Sequence, residues 1–293
     1  MRLFEAAVLG LIQGITEFLP ISSTAHLRIA PELLGWGDPG AAYSAVIQLG
    51  TVAAVVLYFG RDLWKFALAL AVGVRQRAPL ATVESRLAWF VLLGTVPIGI
   101  MGLLLKKSIE TSLRSLYVIS ASLIVLGLVL AAVERVAAHS RTVRDMTLRD
   151  GLIIGCWQAL ALIPGSSRSG TTLTGGLFLG LKREDAARYS FLLSVPATGL
   201  AGLFELKHLM AAEQYDVPAL VVGTGVAFGS GILAIAGLLR FLRTRSTLVF
   251  VVYRVLLGAM LLGLLHQGII QPNAGLERGA AHAAPAAPKG PTG

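Results

Sequence analysis

The stretch Gln13-Gly-Ile-Thr-Glu17-Phe-Leu-Pro20-Ile-Ser22-Ser23-Thr24-Ala-His26 interrupts an apolar run, residues 3–30, that would otherwise cross a membrane. Pro20 ends a helix, because proline lacks the N–H that the preceding turn needs and its ring collides with that turn. Ser22, Ser23 and Thr24 are residues that cap the start of the next helix. Gln13 and Glu17 are four apart and share one helix face. His26 falls in the first turn of the following helix, which Pro31 closes. A carboxylate, an amide, three hydroxyls and an imidazole are thus gathered within one short stretch. A second broken run, residues 149–181, carries Pro164-Gly-Ser166-Ser167-Arg168-Ser169-Gly-Thr171-Thr172. A glycine- and hydroxyl-rich turn opening a helix aims backbone N–H groups and the positive helix end at one point, where an anion binds. Arg168 adds a planar fork of donors suited to phosphate.

The rest of the chain supplies the solvent for these turns. Of 293 residues, 55% are hydrophobic and 14% charged, with a mean hydropathy of +0.74. A soluble protein carries about a quarter charged residues, so lipid is the expected surrounding. Six stretches reach the roughly 20 apolar residues that a spanning helix needs: 42–60, 87–105, 116–134, 186–204, 217–239 and 247–265. The halves of the two broken runs are each about 10–14 residues, the length of a re-entrant segment. Residues from Gln271 onward are rich in Ala, Pro and Gly and read as a disordered tail. The first apolar run is interrupted by Glu5, Gln13 and Glu17 and followed by no small-x-small cleavage site, so it reads as retained rather than as a signal peptide. One cysteine, Cys156, excludes an internal disulfide and a thiolate metal cluster. The net charge of +9 has no basic stripe with interleaved aromatics, which argues against a nucleic-acid partner. In a membrane chain such an excess belongs to cytoplasmic loops.

The two broken runs match each other. Gly10-x-x-Gln13 before Leu19-Pro20-Ile-Ser22-Ser23 resembles Gly155-x-x-Gln158 before Ile163-Pro164-Gly-Ser166-Ser167, with the prolines 144 residues apart. Ser44-Ala-Val-Ile then matches Ser190-Phe-Leu-Leu, and Leu93-Gly94-Thr95 matches Val222-Gly223-Thr224. The expected architecture is an all-α membrane protein of two units, 1–134 and 149–266. Each holds one re-entrant hairpin (3–30 or 149–181) and three spans. Three spans per unit invert the second copy relative to the first. With the first hairpin entering and leaving on one side, the opposite side collects 15 Lys and Arg against 8, so it is the cytoplasm and both termini lie outside.

Several polar residues have ordinary explanations. Thr171, Thr174, Gly10 and Gly14 read as packing residues of membrane helices. Gln48 and Gln158 are open between packing and site lining. Arg254, beside Tyr253, reads as a structural partner of Glu134 near a span end, and the charges in 61–86 as solvated loop residues. Glu17 and Arg168 differ, because a charge at membrane depth is costly and marks a functional site by default. A mutual salt bridge holding the hairpins together is the structural alternative for that pair.

The strings Gln13–His26 and Pro164–Thr172 resemble the two signature motifs, (E/Q)xxxE and PGxSRSxxT, of the bacterial undecaprenyl-diphosphatase (bacitracin-resistance) family. The likeness runs from about residue 3 to residue 266. It implies an integral inner-membrane phosphatase converting undecaprenyl pyrophosphate, the carrier lipid of cell-wall synthesis, into undecaprenyl phosphate and phosphate. It also implies a re-entrant inverted repeat with the site open to the outer face. Glu17, Ser23, His26, Ser167, Arg168 and Thr172 fall on family positions tied to activity. Gln13 stands where many members have Glu, which leaves a two-carboxylate metal site one carboxylate short.

Phosphoryl transfer needs charge neutralisation and positioning more than covalent machinery. In the expected site Arg168 and the N–H groups after Ser166 and Ser167 clamp the terminal phosphate, with Ser22, Ser169 and Thr172 lining it. Glu17, with Gln13, would hold a divalent cation, Mg2+ or Ca2+. His26 would serve as general base or acid, and the attacker is Ser23 or a water that His26 activates. The partners are the lipid pyrophosphate and membrane lipid; the oligomeric state is not readable. The rival reading is a transporter or flippase for a phosphorylated polyprenyl lipid or another anion, which needs the Arg and the helix ends but neither nucleophile nor base.

Overall fold

The computed structural model describes residues 1–36, 39–105, 108–109, 112–211 and 216–272. Among these the chain is helical throughout, with one isolated bridge between Arg141 and Leu181 and no strand. All but the first two residues of the expected tail, 271–293, lie outside the described residues.

The first broken run forms α1 (Leu3–Phe18) and α2 (Ser23–Leu33). Then come α3 (Gly40–Tyr58), α4 (Gly60–Arg75), α5 (Val83–Leu104) and α6 (Leu116–Val136). The second broken run forms α7 (Leu148–Ala159) and α8 (Arg168–Phe178), followed by α9 (Arg183–Ala211), α10 (Val217–Leu242) and α11 (Leu248–His266). Helices α5, α6, α9, α10 and α11 are long and apolar enough to cross a membrane, and α3 with α4 reaches that length as a pair bent by 78°. The six expected spans are therefore five helices and one bent pair, in an all-α multi-pass membrane protein. Helices α1, α2, α7 and α8, of 16, 11, 12 and 11 residues, are each too short to cross.

Helix α4 corrects the expectation of a loop over 61–86. Trp64, Leu68 and Val72 recur every fourth residue and form an exposed apolar stripe, while Leu63 and Phe66 pack against the core. Arg61 and Lys65 share the exposed side with that stripe and Asp62 is half-buried beside it, and these charges interrupt the apolar run that a span would show.

Both short helix pairs fold back on themselves. Phe4, at the start of α1, meets Trp36, just past α2, edge to face at 6.3 Å. Arg141 donates from Nη2 to Asp150 Oδ2 (2.6 Å), at the start of α7, and from Nη1 to the carbonyl of Leu179 (2.8 Å), at the end of α8. Four further ion pairs each join segments that the charge count puts on one side. Arg183–Glu134, Arg243–Glu184 and Arg188–Asp62 join segments counted on the basic side, whereas the amino group of Met1 meets Asp216, both counted on the other.

The helix pairs are packed crosswise. Helix α1 lies along α10, and α7 lies along α5. Two glycines meet at each crossing: a Cβ on Gly10 would collide with the Gly223 carbonyl oxygen, and one on Gly155 with that of Gly94. These four are the glycines that the repeat pairs in sequence. Gly14 is also a packing position, since its Cβ would press on the Ala227 carbonyl at 2.6 Å. Below the first turn Phe18, Phe59 and Phe191 form a buried aromatic cluster, with Phe18 edge-on to Phe191 at 5.1 Å.

Gly155→Val is expected to lower the thermal midpoint in detergent by the equivalent of about 1–3 kcal/mol, the usual cost of overpacking. Gly225→Ala, where an added Cβ meets nothing within 4 Å, is the control and is expected to melt at or slightly above the wild-type temperature.

Candidate active site at two serine-capped turns

Each turn ends in a serine held in the left-handed region, Ser22 at φ 73° and Ser167 at φ 67°. For a residue with a Cβ this is a strained conformation, of the kind that persists where the surroundings fix it. The hydroxyls repay it by capping. Ser22 Oγ accepts from the N–H of Ala25 (3.4 Å) and Ser167 Oγ from that of Gly170 (3.1 Å). Each cap hydroxyl also pairs with the hydroxyl two residues on, Thr24 at 3.1 Å and Ser169 at 3.2 Å.

These caps correct the sequence alignment by one residue. The prolines are 144 apart but the capping serines are 145 apart, because the second turn contains Gly165, at φ 91°. Ser23 is therefore the counterpart of Arg168, not of Ser167. The first position of α2 carries a hydroxyl, and the first position of α8 carries a guanidinium.

Glu17 joins the two. Its Oε2 accepts from Ser23 Oγ (2.6 Å) and from Gln13 Nε2 (3.0 Å), while its Oε1 accepts from Arg168 Nη2 (2.8 Å). Ser169 Oγ adds a second link between the turns, donating to the Leu19 carbonyl at 3.0 Å. Arg168 Nη1 donates to the Ser190 carbonyl (3.2 Å), and Thr172 pairs with the Ser190 hydroxyl at 2.6 Å. The salt bridge considered as a structural role is thus present, and it is built into the same network as the candidate nucleophile. Its members are almost wholly buried, the side chains of Glu17 and Arg168 being 7% and 11% exposed.

Three buried atoms in this region lack a protein partner among the described residues: Arg168 Nε, Ser166 Oγ and Gln13 Oε1. The first two are donors beside the second turn. The third is an amide oxygen whose own side chain is hydrogen-bonded to Glu17. Buried polar atoms are rarely left unpaired, so these mark where a ligand's oxygens and a hard cation fit. No group of three His, Cys, Asp or Glu occurs among the described residues. Gln13 and Glu17 therefore suit a cation that takes its remaining ligands from phosphate and water.

His26 stands in a separate pair. Its Nδ1 lies 2.7 Å from the Ser22 carbonyl and its Nε2 lies 2.7 Å from the Tyr253 hydroxyl. Tyr253, which the sequence marks only by its place beside Arg254, has its ring nearly parallel to the imidazole, 9° between planes. Gln158, open between two roles, belongs to the α7–α5 crossing, where its Nε2 donates to the Gly94 carbonyl at 3.4 Å.

Arg254 overturns the pairing expected with Glu134. Glu134 is taken by Arg183, Ser246 and Thr247. Arg254 is fully buried and reaches main-chain carbonyls instead. Its Nη2 serves Ser166 (3.0 Å), Gly165 (3.3 Å) and Ser122 (3.2 Å), and its Nε serves Leu123 (3.2 Å). The guanidinium thus satisfies two main-chain carbonyls of the second turn. Arg254→Met would strand these oxygens, so a lower melting temperature in detergent is expected, equivalent to about 1–3 kcal/mol per stranded group before relaxation.

The chain is 68% identical over 289 residues to an undecaprenyl-diphosphatase of Myxococcus xanthus (strain DK1622), covering 98% of this chain and 97% of that one. It is 50% identical over 281 residues to the undecaprenyl-diphosphatase of Chlorobium phaeobacteroides (strain BS1), covering 92% of this chain and all of that one. An undecaprenyl-diphosphatase of a Nocardioides species (strain ATCC BAA-499 / JS614) shares 50% over 267 residues, 91% of this chain and 97% of that one. The family model described as bacitracin resistance protein BacA matches residues 6–260, a span that takes in both turns, Tyr253 and Arg254. The chain belongs to the bacitracin resistance protein BacA family.

Proposed function

We propose that this chain is an integral-membrane phosphatase that hydrolyses undecaprenyl pyrophosphate to undecaprenyl phosphate and phosphate, returning the carrier lipid to peptidoglycan synthesis. The observation that carries the reading is the 2.6 Å hydrogen bond from Ser23 Oγ to Glu17, whose other oxygen holds Arg168. A carrier of the same headgroup needs the Arg and the helix ends but gains nothing from a hydroxyl poised on a carboxylate.

The terminal phosphate is held by Arg168 and by the first N–H groups of α8, which helix geometry leaves without partners inside the helix. Arg168 Nε and Ser166 Oγ are further donors to its oxygens. Ser167, Ser169 and Thr172 fix the shape of the second turn, and Ser22 that of the first. Ser23 Oγ attacks the terminal phosphorus as the bridging P–O bond breaks; its proton passes to Glu17 and the lipid monophosphate leaves. Water then attacks the phosphoserine, His26 taking a proton of that water while Glu17 returns its proton to Ser23 Oγ as the serine P–O bond breaks. Glu17 and Gln13 Oε1 would hold a divalent cation, Mg2+ or Ca2+, whose contribution is to neutralise charge on the phosphates. The short helix pairs are two re-entrant hairpins of an inverted repeat, and the prenyl tail lies along their lipid-facing side. The chain sits in the bacterial inner membrane with both termini outside the cytoplasm, as the excess of basic residues on the opposite side supports.

Phosphate release from the lipid pyrophosphate in detergent, with no sealed compartment, separates the phosphatase from a flippase. Glu17→Ala and Arg168→Ala, each checked for folding, are expected to lose at least about 100-fold in rate, the scale of a lost acid–base or charge-stabilising group. Wild-type release from both would overturn the assignment. Acid-stable label from the terminal phosphate on wild type but not on Ser23→Ala supports serine attack, and its absence assigns attack to water. A chelator is expected to lower activity, and Gln13→Glu to lower the Mg2+ concentration needed for half-maximal rate and to tighten Mg2+ binding in calorimetry.

A further inference from the structure

The carbonyl oxygen of Ser22 can only accept a hydrogen bond, so the 2.7 Å contact with His26 Nδ1 places a proton on Nδ1. A neutral imidazole carries one proton, which leaves Nε2 as an acceptor. The group facing Nε2 at 2.7 Å is the hydroxyl of Tyr253, which therefore donates to it. The rings lie nearly parallel, 5.6 Å between centroids, so Tyr253 restrains the plane of the imidazole as well as its tautomer.

The origin of each restraint matters. Ser22 belongs to the first turn and Tyr253 to α11, 227 residues from His26. The residue after Tyr253 is Arg254, which holds the carbonyls of Gly165 and Ser166 in the second turn. One turn of α11 thus contacts both turns of the site through adjacent residues. Tyr253 sets the imidazole of the first, and Arg254 sets the backbone of the second.

We infer that Tyr253 is a positioning residue: it holds His26 in the Nδ1-protonated tautomer with Nε2 presented as a proton acceptor. The inference rests on the phosphatase reading for its consequence, in which His26 accepts a proton at Nε2. A tautomer with the proton on Nε2 could not take that role. Nε2 has one lone pair, held by the Tyr253 hydroxyl in the resting site, so the water takes the phenol's place on Nε2 as it gives up its proton; the phenol is not consumed and forms no bond to the substrate.

Two measurements test this. In protein labelled with 15N at its five histidines, with His26→Ala used to assign the signal, wild-type His26 is expected to be protonated at Nδ1 and not at Nε2. Tyr253→Phe keeps the ring and removes the hydroxyl, and is expected to give a mixture of tautomers. In the detergent assay Tyr253→Phe is expected to lower kcat about fivefold, the scale of one neutral hydrogen bond, with KM changed less than about twofold. On a His26→Ala background the same substitution is expected to cost nothing further, because the two residues act as a unit. A His26 protonated on Nε2 in wild type, an unchanged kcat in Tyr253→Phe, or equal losses on both backgrounds would each overturn the inference. If wild type releases no phosphate, the phosphatase reading fails, and the 15N signals still decide the tautomer.

Discussion

The Glu17–Arg168 pair is the contact on which the arrangement depends. Each charge sits in apolar sequence where it would be costly alone, and each satisfies the other at 2.8 Å across 151 residues of chain. Removing one member of such a buried pair typically costs about 3–5 kcal/mol, because the remaining charge is stranded. The pair therefore constrains the two turns to meet, and Ser169 on the Leu19 carbonyl fixes how they meet. It also leaves chemistry available. Glu17 keeps an oxygen for Ser23, and Arg168 keeps its Nε unpartnered. In the proposed mechanism a phosphate arriving at the second turn would compete with Glu17 for the guanidinium, and a Glu17 partly released from Arg168 would be a better acceptor for the serine proton.

Much of this could be read from the chain. Pro20 and Pro164 break apolar runs, and the residues around them are cap formers, so the places where the helices stop were visible in local chemistry. The glycine pairs were also visible, because Gly10 matches Gly155 and Gly94 matches Gly223 in the repeat. What the repeat did not reveal was that each glycine touches the counterpart of the other's neighbour, a property of packing between distant segments. Helix α4 was hidden because Arg61, Asp62 and Lys65 interrupt the apolar run that marks a span. The register of the two turns was off by one because prolines are the most conspicuous landmarks, whereas the structural equivalence is carried by serines in a left-handed conformation.

The site shows the same division. Glu17, Ser23 and Arg168 come together, and the sequence brought them forward because charges and clustered hydroxyls are rare in lipid. Arg254 was noticed but given a carboxylate partner, since pairing charges is the default expectation. Its true partners are main-chain carbonyls, and no sequence pattern announces those. Tyr253 looked like an ordinary aromatic in a membrane helix; only the fold brings its hydroxyl to His26.

The crosswise packing of α1 on α10 sets a timetable for biosynthesis. A ribosome finishes α1 about 200 residues before it begins α10. Through that interval Glu17 is already in the nascent chain, while the helix that seats it has not been made; for most of it Arg168 is missing as well. The half-made protein holds a nucleophile and a carboxylate in the membrane with no clamp for phosphate. In the proposed mechanism the site is complete only when the last helices have closed over the first.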